Sequence, residues 1–423
     1  RRRLLNGAFW GGAGQVVSRG AALVASFFLA RTLGQIQFGE YGIVNSTSAM
    51  LSTVAGLGVG STATKYVAEL KNIDKQRAGR IISLASMITW ISGCVYGLCF
   101  VFLAKWLSET TLAAPHLSKA LQISAISVAL GVINSTQQSA LSGFESFKTL
   151  AWINMSCGLL QSVTTCFGAY IWGVNGAIAG LAIAMVVTVS LTRTALVSQM
   201  KLYGVKNWWS GAWSEWSVLL NFSLPSFLTS ILLGPITWVC NAMIANQPNG
   251  YNELGIFNAA NQWYSFVLFL PGLLTTAALP VMSERQGAND SSSNKRIVVG
   301  LTKATCVCVI PVVIVLAMLR TTIMAGYGEA FSSGGLVLVL SILAAASQAI
   351  TAPAWFEIVS QGRMWLCFFI STIRGIIWIG ILWSLLRYGA NGMAFSRLIA
   401  IIITGIMILT LGKHKQSRTV VIR

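Results

Sequence analysis

The chain has 423 residues, of which 55% are hydrophobic and 9% are charged, and its mean hydropathy is +0.70. Soluble domains carry about 25% charged residues, so this composition excludes a soluble globular protein, a nucleic-acid-binding domain and a secreted disulfide scaffold. A membrane-spanning helix needs about 20 apolar residues, which leaves room for about twelve spans. The fold class predicted is an all-α polytopic membrane protein.

Apolar segments follow one another along the whole chain. They predict spans at residues 7–31, 39–64, 80–104, 117–141, 150–172, 175–198, 217–243, 254–280, 297–320, 333–359, 364–386 and 390–412. The first segment follows Arg1, Arg2 and Arg3 and is too long for the apolar core of a cleaved signal peptide, so we expect an uncleaved signal anchor.

Cysteine and histidine residues offer no site chemistry. All eight cysteines lie within apolar segments and none belongs to a Cys-x-x-Cys pair, as expected for small buried side chains. The two histidines, His116 and His414, lie in a predicted loop and in the C-terminal tail. We expect neither a metal site nor a cofactor.

Basic residues are distributed unevenly between the two sets of loops. Of the 29 Lys and Arg residues, twenty lie on the side that includes both termini. The opposite loops hold five, namely Arg31, Lys105, Lys119, Arg320 and Arg387. Cytoplasmic loops are enriched in Lys and Arg, so both termini are predicted to be cytoplasmic. The net charge of +18 therefore reflects topology and not nucleic-acid binding.

Short motifs recur at an offset of 213–216 residues. Glu40–Asn45 resembles Glu253–Asn258, and Trp172-Gly-Val-Asn-Gly176 resembles Tyr388-Gly-Ala-Asn-Gly392. Leu4-Leu5-Asn6 and Glu69 match Leu219-Leu220-Asn221 and Glu284 in the same order. The pattern predicts an N-terminal six-helix lobe (1–203) and a C-terminal six-helix lobe (217–423), related by a parallel pseudo-twofold axis and enclosing a central cationic cavity.

A tryptophan-rich linker at 204–216 separates the predicted lobes. Its stretch Asn207–Trp216 holds four tryptophans and follows Lys201 and Lys206. Aromatic and basic residues together favour the headgroup layer of a membrane. Interfacial anchoring is the preferred interpretation, and a role in lateral lipid entry is the alternative.

Polar residues form stripes on several predicted spans. The candidate substrate contacts among them are Gln15, Asn45, Asn134, Asn258 and Gln348. Polar groups in a membrane need a partner or a wet cavity. One stripe alone could serve only to join helices by hydrogen bonds, whereas stripes in both halves favour a shared hydrated cavity.

Three arginines lie deep within predicted spans: Arg19, Arg374 and Arg397. Each costs about 2.5–3.5 kcal/mol at a helix centre, and such residues usually mark a substrate pathway. Arg193 lies nearer a span end and is expected to snorkel. At the repeat offsets, these arginines correspond to Gly234, Gly158 and Leu181, so none is duplicated. Cations from two lobes could converge on one diphosphate.

Glu357 is the one carboxylate placed clearly inside a predicted span. It is a candidate for proton coupling, because burial of a carboxyl group favours its protonated form. A structural ion pair with Arg363 or Arg374 is an equally good interpretation.

The stretch from Phe28-Leu-Ala-Arg-Thr-Leu-Gly34 through Phe38-Gly-Glu-Tyr-Gly-Ile43 to Thr64–Glu69 carries a family resemblance. It resembles the bacterial polysaccharide-transporter (O-antigen flippase) family of the multidrug/oligosaccharidyl-lipid/polysaccharide exporter superfamily. The resemblance implies a flippase that moves undecaprenyl-diphosphate-linked oligosaccharides from the cytoplasmic to the periplasmic leaflet of the bacterial inner membrane by alternating access. It also implies a cationic lumen, with an O-antigen polymerase and a chain-length regulator as further partners.

Two other functions compete with this one. A multidrug exporter of the same superfamily typically carries an acidic residue in its first span, where this chain has Arg19. A membrane O-antigen polymerase or ligase usually needs a sizeable outer loop, whereas the predicted loops around 105–117 and 244–253 are short, and the sequence has no nucleophile–base–acid constellation. Both features favour transport over catalysis.

Overall fold

The computed structural model describes residues 2–206, 211–216, 227, 231–287, 291–361 and 363–413, with the side chains of 2–13, 233, 270, 273–295 and 411–413 excepted. Within these ranges the regular structure is helical and no strand occurs. Seven helical stretches of the described chain are long and apolar enough to cross a membrane, and two of these exceed 45 residues. The prediction of an all-α polytopic membrane protein is confirmed, whereas the count of twelve spans stays a prediction.

The chain packs as two units, residues 1–238 and 239–423. The first unit contains α1 (Arg2–Ala55), α2 (Val59–Leu70), α3 (Lys75–Trp106), α4 (Ser118–Gly143) and α5 (Phe147–Tyr203). Helix α1 packs mainly on α5, while α4 packs on both α3 and α5. Small side chains make these contacts close. A Cβ atom at Gly14, for example, would overlap the backbone of Ala151.

The described helices that follow are α6 (Leu233–Ala245), α7 (Gly250–Gly287), α8 (Ser291–Met318), α9 (Arg320–Tyr327), α10 (Gly335–Ser360), α11 (Met364–Leu385) and α12 (Gly389–Lys413). In the second unit α10 is central, because it packs on α7, α8 and α12. Helix α11 packs mainly on α12. The predicted lobe boundaries stay a prediction, since 207–210 and most of 217–230 lie outside the described residues, as do the repeat motif at 219–221 and His414.

Two predicted pairs of spans are joined by sharp bends rather than by loops. Helix α1 bends at Gly34 (φ 72°, ψ 175°), between the predicted spans 7–31 and 39–64. Helix α5 bends at Trp172 and Gly173, between 150–172 and 175–198. The segment 39–64 is also interrupted near its end, because Leu57 and Gly58 adopt positive φ angles of 49° and 67° before α2 begins.

The repeated Gly-x-Asn-Gly motifs adopt the same backbone bend. Gly173 has φ 58° and ψ −136°, and Gly389 has φ 55° and ψ −130°, a conformation in which side-chain-bearing residues are strained. In the first unit, Gln37 lies against Gly173. In the second unit, the backbone N–H of Ala390 donates to Glu253 Oε2 at 2.7 Å. In each unit, therefore, the bend contacts a polar side chain of an earlier helix, Gln37 of α1 in the first and Glu253 of α7 in the second.

The described part of the linker is attached to α3 by an ionic clamp. A short 3₁₀ helix, Ala212–Glu215, places the buried Glu215 carboxylate beside two arginines. Arg77 Nε lies 3.1 Å from Glu215 Oε2, and Arg80 Nη2 lies 3.2 Å from Oε1. Trp213 and Trp216 are exposed next to them, with ring centroids 5.7 Å apart. Exposed tryptophans on a tethered segment are what interfacial anchoring requires.

Candidate functional site

A cavity of about 400 Å³ lies within the first unit, between α1, α4 and α5. Four of the sequence-predicted site residues line it, namely Gln15, Arg19, Asn45 and Asn134. They come from distant parts of the chain, so the fold has collected separate polar stripes around one space. Their role in binding stays a prediction.

The walls of this cavity combine many polar side chains with a few apolar ones, and they are nearly uncharged. Six carboxamide side chains line it: Gln15, Asn45, Asn134, Gln138, Asn154 and Gln161. Five hydroxyl side chains join them: Ser18, Ser48, Ser124, Ser127 and Thr188. Among the described residues of the lining, Arg19 is the one that carries a charge. A ligand would therefore meet one guanidinium in a ring of neutral hydrogen-bonding groups.

Close contact between α1 and α5 positions Arg19. A Cβ atom at Gly158 would overlap the side chain of Ser18, so the two helices touch beside Arg19. Gln15 lies one turn before Arg19 on α1, and Asn154 and Gln161 flank Gly158 on α5 at a spacing of seven residues. Residues four and seven apart share a helix face. Arg19 therefore lines the same cavity as the carboxamides of the neighbouring helix.

Arg397, in the second unit, is held by aromatic rings. Its guanidinium carbon lies 3.4 Å from the centroid of the Tyr264 ring and 5.6 Å from that of Trp378. Its Nη1 donates to Asn261 Oδ1 at 2.8 Å. Stacking of a cation on aromatic faces stabilises it where water is scarce. The arrangement explains how α12 accommodates an arginine between apolar turns.

Of the other predicted site residues in the second unit, some are linked to Arg397 and others lie apart from it. The Tyr264 hydroxyl donates to Gln348 Oε1, which links Gln348 to the stacked pair. Arg374 lies one turn before Trp378 on α11. Asn258 lies on α7, and its Nδ2 is enclosed without a hydrogen-bond partner in the described structure. Glu357 lies in the last turn of α10, nine residues or roughly 13 Å along the axis beyond Gln348.

The predicted repeat offers a way to compare the two sets of residues. Gly158 and Leu181 occupy the repeat positions of Arg374 and Arg397, and both line the cavity of the first unit. By this correspondence, Arg374 and Arg397 are predicted to lie on the helix faces of the second unit that are equivalent to the cavity-lining faces of the first. Each unit therefore has its own intramembrane cations, Arg19 on α1 in the first unit and Arg374 and Arg397 on α11 and α12 in the second.

Some functional positions were not found from the sequence. Thr188 and Met185 line the cavity from the second half of α5, where no polar stripe was identified from the sequence. Tyr264 is the main contact of Arg397, and its spacing from Phe257 and Asn261 on α7 could have indicated it. Aromatic residues are common in membrane helices, so this spacing alone is a weak indication.

Residues 4–286 match the family model described as polysaccharide biosynthesis protein. The chain belongs to this family. One relative is the EPS I polysaccharide export inner membrane protein EpsE of Ralstonia nicotianae, which is 24% identical over 400 residues, covering 90% of this chain and 87% of the relative. Another is the lipid III flippase of Escherichia coli, which is 23% identical over 286 residues, covering 66% of this chain and 67% of the relative.

The fold resembles that of a solved transporter. An inward-facing multidrug resistance MATE family transporter of the MOP superfamily superposes with a TM-score of 0.77 at 16% identity, covering 93% of each chain. This similarity shows a MOP-type fold. The chain therefore has the fold of a solved membrane transporter, as the expectation of transport rather than catalysis requires.

Proposed function

We propose that this protein is a flippase for undecaprenyl-diphosphate-linked oligosaccharides, which it moves from the cytoplasmic to the periplasmic leaflet of a bacterial inner membrane. The observation that carries the proposal is the cavity of the first unit, in which Arg19 stands among neutral polar side chains within a membrane-spanning bundle. The names of the two relatives, a polysaccharide export protein and a lipid III flippase, support the same substrate class.

The physical problem for such a protein is a large polar head on an apolar tail. A diphosphate and its sugars cannot enter hydrocarbon without losing their hydrogen bonds to water. A polar cavity replaces those bonds, while the polyprenyl chain stays in lipid. Arg19 offers paired N–H donors to phosphate oxygens, and alternating access exposes the bound head group first to one side and then to the other.

We extend the proposal to Arg374 and Arg397, the two arginines that lie deep within predicted spans of the second unit. Both termini are taken as cytoplasmic, from the distribution of basic residues. Glu357 remains a candidate for coupling transport to protons. If Glu357→Gln transported normally across a range of proton gradients, coupling through this residue would be excluded.

The charge of the cavity argues against export of cationic drugs. Such substrates need a carboxylate in the binding site, whereas the described residues of this lining include a guanidinium and no acid. The described outer segment between α3 and α4 is also short, running from Leu107 to Leu117. It offers little room for the outer domain of a polymerase.

Deletion of the gene tests the proposal. We expect a lipid-linked glycan to accumulate on the cytoplasmic leaflet and surface glycan to disappear. The wild-type gene should restore display, and Arg19→Lys should restore it partly at matched expression. Accumulation of the glycan on the periplasmic leaflet instead would place the defect after translocation and refute a flippase.

A further inference from the structure

Most carboxamides around the cavity of the first unit have no partner among the residues that the structure describes. Gln15, Asn45, Gln138, Asn154 and Gln161 form no side-chain hydrogen bond with the described part of the chain. Asn134 is different, because its Oδ1 accepts from Thr192 Oγ1 at 3.1 Å. The hydroxyl of Ser127, also in the lining, is enclosed and without a partner there. Groups that serve only to join helices would bond to one another.

The chemistry of these groups differs from that of a simple anion site. A carboxamide offers both donors and an acceptor, as does each hydroxyl of the lining. A sugar hydroxyl is likewise both donor and acceptor, whereas a phosphate only accepts. An anion site would be built mainly from donors such as guanidinium groups. A wall of carboxamides with one arginine therefore matches a neutral polyhydroxyl group attached to an anion.

The carboxamides that suit a saccharide and the arginine that suits a phosphate line the same cavity. Arg19 projects from α1 at the contact of Ser18 with Gly158, and Asn154 and Gln161 flank that contact on α5. The cavity volume of about 400 Å³ lies within the range of ~300–1,000 Å³ typical of small-ligand sites. It suits a short polar group rather than a whole glycan chain.

We infer that this cavity is a saccharide subsite that binds the sugar linked directly to the diphosphate, with Asn154 and Gln161 as residues that determine specificity and Arg19 binding the adjacent phosphate. The inference rests on the proposed function and adds to it the part of the substrate that is recognised. Cargo would be selected by its first sugar, and the outer sugars would pass without contacts of this kind.

Binding of two lipids to the purified full-length protein tests the inference. The probes are undecaprenyl diphosphate and undecaprenyl diphosphate bearing a single N-acetylglucosamine, measured by native mass spectrometry. We expect the glycosylated lipid to bind about ten-fold tighter, as two net hydrogen bonds would provide. The double variant Asn154→Leu/Gln161→Leu should remove this preference. Arg19→Gln should weaken binding of both lipids by a similar factor.

Two further variants keep the test independent of folding defects. The pair Asn154→Ser/Gln161→Ser keeps a polar wall but shortens its reach, and it should also lose the preference. Gln122→Leu removes an exposed carboxamide of α4 outside the lining, and it should keep the preference.

The outcomes separate this inference from the proposed function. If neither lipid bound wild-type protein, the flippase proposal itself would fail. If both lipids bound equally well, the flippase proposal would stand and the saccharide subsite would be overturned. Equal weakening of both lipids by the α5 double variants would also overturn it, because those residues would then act on the carrier or on stability.

Discussion

Arginines within a membrane are costly, and the two units accommodate theirs in different ways. Arg19 lines a polar cavity beside carboxamides. Arg397 lies on the Tyr264 ring and donates to Asn261. The cavity leaves Arg19 accessible to an anion, whereas aromatic stacking stabilises Arg397 in place. The roles of the two guanidinium groups can therefore be distinguished with variants that keep the positive charge.

Arg397→Lys tests the role of stacking. Lysine keeps the charge but lacks the planar group that lies on Tyr264 and bonds to Asn261, so we expect a loss of about 1–2 kcal/mol of stability. Thermal unfolding of the purified protein in detergent measures it. Arg320→Lys, at an exposed position of the same unit, should change stability by less than about 0.5 kcal/mol. Equal stability of the two variants would contradict a stacking role.

For single residues, the sequence predicted which polar side chains lie within the membrane, but it did not predict all of their contacts. Gln15, Arg19, Asn45 and Asn134 share a cavity because each lies on a polar face that apolar lipid would exclude. The pairing of Arg397 with Tyr264 depends on the rotation of α7 and α12 about their axes. That rotation is set by tertiary packing, which the hydropathy pattern of one helix does not contain.

At the scale of helices, the bends at Gly173 and Gly389 can be tested by substituting each glycine with alanine. Alanine at either site would adopt a conformation that costs about 1–3 kcal/mol. At Gly389 the added methyl group would also overlap the Glu253 carboxylate, whereas at Gly173 it would meet the end of the Gln37 side chain at 3.1 Å. We expect Gly389→Ala to lower the unfolding temperature more than Gly173→Ala.

Gly380→Ala is the matched control for these variants. It lies within α11, where a Cβ atom would meet nothing within 4 Å. Alanine favours a helix over glycine by up to about 1 kcal/mol, so this variant should be neutral or stabilising. A loss of stability as large as that of Gly389→Ala would show that the bends are not the cause.

The clamp between the linker and α3 can be tested in the same way. Glu215→Gln removes the charge that Arg77 and Arg80 share, and we expect a loss of about 1–2 kcal/mol, reduced by the partial exposure of both arginines. Differential scanning fluorimetry in detergent measures the change. Glu109→Gln, an exposed acid, should have almost no effect. No difference between the two variants would mean that the clamp contributes nothing.

The sequence predicted that the helices exist better than it predicted where each helix begins and ends. Long apolar segments identify helices because each must satisfy its backbone hydrogen bonds within itself. The interruption at Leu57 and Gly58 was not predicted, since that stretch of small and apolar residues continues the hydropathy of the span before it. A positive φ angle at a leucine is a result of tertiary packing and leaves no mark in the composition.

Over the whole molecule, the predicted orientation depends on the distribution of basic residues. In a variant without the eight native cysteines, Lys119→Cys should react with an impermeant maleimide added from the periplasm. Asn72→Cys, exposed in the turn between α2 and α3, should react only after the inner membrane is opened. The reverse pattern would place both termini in the periplasm and overturn the direction of transport.

The central claim is that this protein moves a diphosphate-linked saccharide across a bilayer through a cavity in which Arg19 binds the anion. Reconstitution into vesicles with a fluorescent undecaprenyl-diphosphate-linked saccharide tests it directly, with translocation followed by quenching from outside. Wild-type protein should accelerate translocation over empty vesicles, Arg19→Lys should keep part of the rate, and Arg19→Glu should lose at least about ten-fold. The exposed Arg320→Glu, with the same change in charge, should transport normally. A wild-type rate no faster than that of empty vesicles, or full activity of Arg19→Glu, would contradict the account.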